Sequence, residues 1–120
     1  MGPLSGYIIL IVEDEPLVAV GVGAALADAG AEIVTAHNLA TALEAALNGS
    51  FSAAILDVAL GAADTGAVCT ALKSRQVPFI FLTGFDTHRL LREWAGVPAL
   101  AKPMREAELV ANVEALLTCS

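Results

Sequence analysis

Short apolar runs alternate along this chain with longer segments of helical period. Residues 7–12, 53–56 and 79–82 are continuous apolar runs of four to six residues, the pattern of strands buried on both faces of a parallel sheet. Glu32–Ala36 and Ala99–Ala101 supply two further, shorter strands. The intervening segments predict helices over about 16–29, 39–47, 67–75, 87–94 and 106–117. Pro16 suits a first helical position, where its missing N–H costs nothing. Gly30 is a stop for the first helix, Asn38 caps the second, and Asn48-Gly49 ends it. Residues 61–66 read as a loose loop, and Leu109, Val113, Leu116 and Leu117 recur in helical period. Five βα units with right-handed crossovers predict an α/β, doubly wound, three-layer sandwich without internal repeat or linker. Residues 1–6 form a small, turn-like N-terminal extension to the domain at 7–120.

Four of the apolar runs end on a polar group. The first stops at Glu13 and Asp14, the third at Asp57, the fourth at Thr83 and the fifth at Lys102. Carboxyl ends of strands in an open parallel sheet share one edge, so these residues converge there. Asp57 follows Ala-Ala-Ile-Leu, and a carboxylate is too costly for the sheet interior, which puts it at the strand's exposed end. Three neighbouring carboxylates repel unless a cation neutralises them, and Mg²⁺ takes oxygen ligands with one or two carboxylates plus water and phosphate. A hydroxyl at Thr83 and an ammonium at Lys102 add ligands for a phosphoryl group. Glu15, beside Pro16, is read as complementing the helix dipole.

Composition narrows the class. The chain has 120 residues, enough for one domain with one substantial core. Its hydrophobic fraction of 57 % is raised by abundant Ala, which favours helices packed close to a sheet. The uncharged run 17–27 is about half the ~20 residues of a membrane-spanning helix. No Lys or Arg precedes Lys73, so no basic signal-peptide region is present. Two cysteines without metal spacing, Cys69 and Cys119, fit a reduced, cytoplasmic protein. The net charge of −7 is uneven, because all six basic residues lie from Lys73 onward. That argues against direct nucleic-acid binding and for a cation held by the first half. His37 and His88 have no second ligand at metal spacing, and Trp94 is expected to pack its helix onto the sheet.

The succession Glu-Asp-Glu-Pro, Leu-Asp-Val, Phe-Leu-Thr-Gly and Ala-Lys-Pro resembles the receiver domain of two-component response regulators over about residues 7–118. The resemblance implies a flavodoxin-like (βα)5 fold with a five-stranded parallel sheet in the order 2-1-3-4-5. It implies phosphorylation of Asp57 by a histidine kinase or histidine phosphotransfer protein. Glu13, Asp14 and Asp57 would hold Mg²⁺ with the backbone carbonyl of Ala59, and Thr83 and Lys102 would contact the phosphoryl oxygens. Phe81-Leu82-Thr83-Gly84-Phe85 is similar to an alphaproteobacterial subset with Phe-x-Thr-Gly-aromatic after the fourth strand. Most receivers carry an aromatic switch residue where this chain has Ala99, leaving Phe85 either to take over signalling or to anchor its loop. Ala59 offers no group to orient an attacking water and Phe85 would screen it, so slow loss of the aspartyl phosphate is expected.

The first helix carries one charge, Asp28, and is apolar on more than one face. Val18 and Val22 are therefore candidates for an exposed docking patch toward the phosphodonor's helical bundle, with dense internal packing as the competing account. A single-domain regulator and the receiver of a hybrid kinase both fit, as a monomer or weak dimer with no external substrate turned over. The alternative is a receiver-shaped binding module that works without phosphate. A haloacid-dehalogenase-type phosphatase would need an acid at Ala59. A nucleotide hydrolase would need a Gly-x-x-x-x-Gly-Lys loop, which is missing.

Overall fold

The computed structural model describes residues 2–84 and 89–118. Phe85, His88 and Cys119 lie outside the described residues. Among the described residues seven strands and five helices follow in the order β1 (Ile8–Val12), α1 (Pro16–Asp28), β2 (Glu32–Ala36), α2 (Leu39–Asn48), β3 (Ala53–Asp57), β4 (Ala59–Leu60), β5 (Ala63–Asp64), α3 (Gly66–Ser74), β6 (Phe79–Thr83), α4 (Arg89–Glu93), β7 (Ala99–Ala101) and α5 (Glu106–Thr118). Five strands make one parallel sheet in the order β2-β1-β3-β6-β7. These correspond in sequence order to the five predicted strands, so the expected 2-1-3-4-5 order holds. A two-stranded antiparallel hairpin, β4–β5, begins directly after Asp57 and runs into the segment 61–66 expected to be a loose loop.

Alternation along the central strands divides the core between the two faces of the sheet. Leu10, Val12, Ala54, Leu56, Phe79 and Phe81 pack on the side of α2, α3 and α4. Ile9, Ile11, Ala53, Ile55, Ile80 and Leu82 pack on the side of α1 and α5. Both sets are buried, which is why these strands lack an alternating polar pattern in the sequence. Trp94 packs edge-on against Phe79 with ring centroids 5.6 Å apart, as expected of a residue seating its helix region on the sheet. Asn38 caps α2 by accepting from the Thr41 N–H at 2.9 Å, and Pro16 opens α1.

The N-terminal extension is part of the core. Leu4 is fully buried among the α1- and α5-side residues, and its N–H donates to the Ala29 carbonyl at 2.8 Å. Close approach there requires glycine. A Cβ on Gly2 would lie 2.2 Å from the Ala29 oxygen, and Gly30 has φ of +104° with Ser5 against it. Leu4→Ala is expected to cost about 2–5 kcal/mol, the range for truncating a buried leucine. Urea denaturation checks this, and a loss below about 1 kcal/mol would show the segment to be a loose appendage.

The first helix departs from one expectation. Val22 is buried against the sheet with Ala25 and Leu26, and Val18 is half-buried, so neither forms the exposed stripe. The solvent-facing apolar residues are Leu17, 89 % exposed, and Val20, 69 % exposed. A helix with apolar residues on every face leaves its inward side undetermined until the sheet is in place. Among the described residues no helix is long and apolar enough to cross a membrane.

Candidate functional site

The carboxyl ends of β1, β3, β6 and β7 bring the predicted residues together. Lys102, one residue past β7, extends its ammonium across the edge of the sheet. Its Nζ lies 2.8 Å from Asp57 Oδ2, 2.9 Å from Glu13 Oε2 and 3.1 Å from Glu15 Oε1. Its backbone N–H donates to the Thr83 carbonyl at 2.8 Å, tying the end of β6 to the same point. Thr83 is buried at the last position of β6, in register with Ala101. Asp57 Oδ1 accepts from the Ala59 N–H at 3.2 Å. Exposed Asp14 accepts from the Gly61 N–H at 2.8 Å, connecting the β1–α1 turn to the β4–β5 hairpin.

Glu13 is wholly buried. One carboxylate oxygen accepts from the Glu15 N–H at 3.2 Å. The other, Oε2, has no hydrogen-bond partner among the described residues. The Lys102 ammonium lies 2.9 Å from that oxygen and pairs with it as an ion. Burial, reinforced by neighbouring Asp57, pushes the Glu13 carboxyl up to about 7. Burial works against the Lys102 ammonium, yet Asp57, Glu13 and Glu15 outweigh it and hold the lysine charged. Carboxylate oxygens of Glu13, Asp14 and Asp57 all lie within 4.8 Å of one another. A buried, undirected carboxylate oxygen beside two more carboxylates is a donor set suited to a hard divalent cation.

Some partners escape sequence reasoning. Glu15 makes no side-chain cap for α1 and instead reaches Lys102. Its position beside Pro16 gives no sign of that, because the lysine is 87 residues away. Thr65, fully buried, donates its hydroxyl to the Asp57 carbonyl at 2.8 Å. Asp64 pairs with Arg89, joining the hairpin to α4. Ala99 is exposed on the edge strand beside Phe81, so that position offers no aromatic ring. His37 bonds through Nδ1 to the Glu13 carbonyl, a structural contact rather than a metal site.

Residues 9–114 match the family model of the response regulator receiver domain, and this chain belongs to that family. Its members are signalling modules rather than metabolic enzymes. Among curated proteins it is 35 % identical over 120 residues to the transcriptional regulatory protein TcrA of Mycobacterium tuberculosis. The match covers 96 % of this chain and 47 % of TcrA, so the chain spans about half the length of that relative. The receiver domain of a sensor histidine kinase from Pseudomonas aeruginosa, solved with magnesium coordinated in its active-site cleft, superposes with a TM-score of 0.82 at 27 % identity. That match covers 94 % of this chain and 98 % of the other. TrrA from Thermotoga maritima, solved with Mg²⁺ and BeF, gives 0.81 at 30 % identity, covering 92 % and 99 %.

Proposed function

We propose that this chain accepts a phosphoryl group on Asp57 from a phosphohistidine of a histidine kinase or histidine phosphotransfer protein. The observation that carries the reading is the Asp57–Lys102 contact at 2.8 Å, set beside two further carboxylates at one sheet edge. An Asp57 carboxylate oxygen attacks phosphorus in line, an O–P bond forms, and the P–N bond to the donor imidazole breaks. Lys102 then turns from carboxylates to the phosphoryl oxygens, and the Thr83 hydroxyl donates to another. Glu13, Asp14, Asp57 and the Ala59 carbonyl would hold Mg²⁺, which when bound would offset the charge that builds on those oxygens. The buried Glu13 oxygen, paired with the Lys102 charge but with no other partner among the described residues, fits that role. In hydrolysis a water oxygen attacks phosphorus in line and the Asp57 O–P bond breaks, which returns the Asp57 carboxylate and inorganic phosphate. Ala59 has no acid or amide to orient that water, so the chain should hold its phosphate for long. Incubation with acetyl phosphate and Mg²⁺ tests the proposal by intact mass. Gain of one phosphoryl group, absent in Asp57→Asn, is expected; no gain, or gain that persists in the variant, rejects it.

The donor docks on α1. Leu17 and Val20 lie exposed at the end of α1 nearest the site. A cleft of about 390 Å³ lined by Leu17, Val18, Val22, Met104 and Leu109 leads to Lys102. An apolar helix of the donor fills such a groove by side-chain burial. Leu17→Glu or Val20→Glu is expected to slow transfer from a phosphorylated histidine donor about tenfold or more, since a buried unpaired charge is costly. Labelling by acetyl phosphate should stay unchanged. Equal slowing with both donors would place the defect in the site rather than in docking.

A further inference from the structure

Thr65 is one of four buried polar or charged residues among those described, with Glu13, Asp57 and Thr83, and the only one that the phosphotransfer chemistry leaves without a part. It stands between the β4–β5 hairpin and α3, and turns back on the strand that carries Asp57. Its hydroxyl donates to the Asp57 carbonyl at 2.8 Å, and its own N–H donates to the Val58 carbonyl at 3.3 Å. Two consecutive carbonyls at the phosphoacceptor are thus held by one residue. On the other side, the Val58 N–H donates to Leu82 and anchors the same peptide to β6. The loop between is closed by the β4–β5 pairing and tied to Asp14 through Gly61.

Threonine at the start of a helix ordinarily turns its hydroxyl toward the helix N–H groups. Here the side chain makes no cap hydrogen bond. The Gly66 N–H is taken by Asp64 Oδ1 at 2.9 Å, and the Thr65 hydroxyl faces the strand. The Cys69 thiol lies against that hydroxyl, and burial pushes it up to about 12, so it remains protonated. The Thr65 carbonyl accepts from the Cys69 N–H at 3.0 Å, so α3 holds the residue in place.

We infer that Thr65 is a positioning residue for phosphotransfer, its buried hydroxyl clamping the Asp57 backbone so that the carboxylate and the following Ala59 carbonyl keep a fixed separation. The inference rests on the proposed phosphorylation of Asp57. In-line attack depends steeply on the placement of the attacking oxygen, and small displacements of a reacting group slow such steps by one to two powers of ten. Residue 65 lies eight positions from Asp57, yet it acts on the peptide unit from which that side chain projects.

A substitution series separates positioning from packing, because the two rank the variants in opposite orders. Serine keeps the hydroxyl and loses the methyl; cysteine keeps the approximate size with a weak donor; valine keeps the shape with no donor. Initial rates with acetyl phosphate at saturating Mg²⁺ are measured for all four proteins, with thermal unfolding alongside. If Thr65 positions Asp57, Thr65→Ser stays within about twofold of the parent, Thr65→Cys falls between, and Thr65→Val is slowed about tenfold or more. If Thr65 only fills space, Thr65→Val keeps the parent rate and Thr65→Ser is the slowest, which overturns the inference. A variant that does not fold is left out, and the order of the remaining ones still decides. No phosphorylation of the parent protein would instead reject the reading of Asp57 on which the inference stands.

Discussion

Replacing Lys102 with methionine is expected to slow phosphorylation about a hundredfold or more while tightening Mg²⁺ binding. Lys102 carries the one positive charge within ion-pair reach of Glu13 and Asp57 among the described residues. Its side chain is 15 % exposed and that of Glu13 not at all, so water screens the contact little. Removing one partner of a buried pair leaves an uncompensated charge, at a cost of about 3–5 kcal/mol. The lower end applies where Glu13 takes up a proton instead of staying ionised. Chemical denaturation in EDTA at neutral pH should show this loss, and Mg²⁺ should recover most of it. With its competing cation gone, the carboxylate cluster binds Mg²⁺ more tightly, which calorimetric titration reads. The rate with acetyl phosphate should fall about a hundredfold or more, since a cationic ligand of the phosphoryl oxygens is lost. A Lys102→Met protein as stable in EDTA as its parent would show that the lysine is not the counter-charge.

Binding of Mg²⁺ should depend on pH through Glu13. Its carboxyl is raised from 4.5 to about 7, first by burial and then by Asp57. The metal-free folded state therefore keeps a proton that the unfolded chain has already released. Between pH 4.5 and about 7 the unfolded state binds fewer protons, so the metal-free fold loses stability as pH rises, by up to about 3 kcal/mol. Above that range this group adds no further change. Mg²⁺ requires the carboxylate and so displaces the proton below pH 7, where apparent affinity should improve about tenfold per pH unit before levelling off. Calorimetry in two buffers of different ionisation enthalpy would detect the released proton. Glu13→Gln should weaken binding and remove the pH dependence. An affinity constant across about pH 5 to 8 would mean that Glu13 is already ionised or does not meet the metal.

The five sheet strands and the polar ends of four of them were legible because each is a local signal. An apolar run such as 79–82 that stops on Thr83 says both where a strand is buried and where it emerges. Asp57 and Lys102 were legible for the same reason, since a charge directly after a core strand has few places to go. The hairpin β4–β5 was not, because its two-residue strands contain too few positions to show a period. Helix α1 misled in a different way. With apolar residues on all sides it contains no amphipathic signal, so Val22 and Leu17 were equivalent in sequence although one is buried and the other exposed.

By itself the sequence determined the order of the five sheet strands and their helices, the edge of the sheet on which the chemistry gathers, and the charges available there. Those follow from period, chain punctuation and the cost of burying a charge, all of which act within a few residues. Only the tertiary structure decided that Leu4 enters the core and that Glu15 turns from its helix to Lys102. It alone set the Thr65 hydroxyl against Asp57 and left a Glu13 oxygen without a directed partner. Each of these depends on which residue stands opposite across the fold, and that is set by sheet register and crossover packing rather than by any neighbour in the chain.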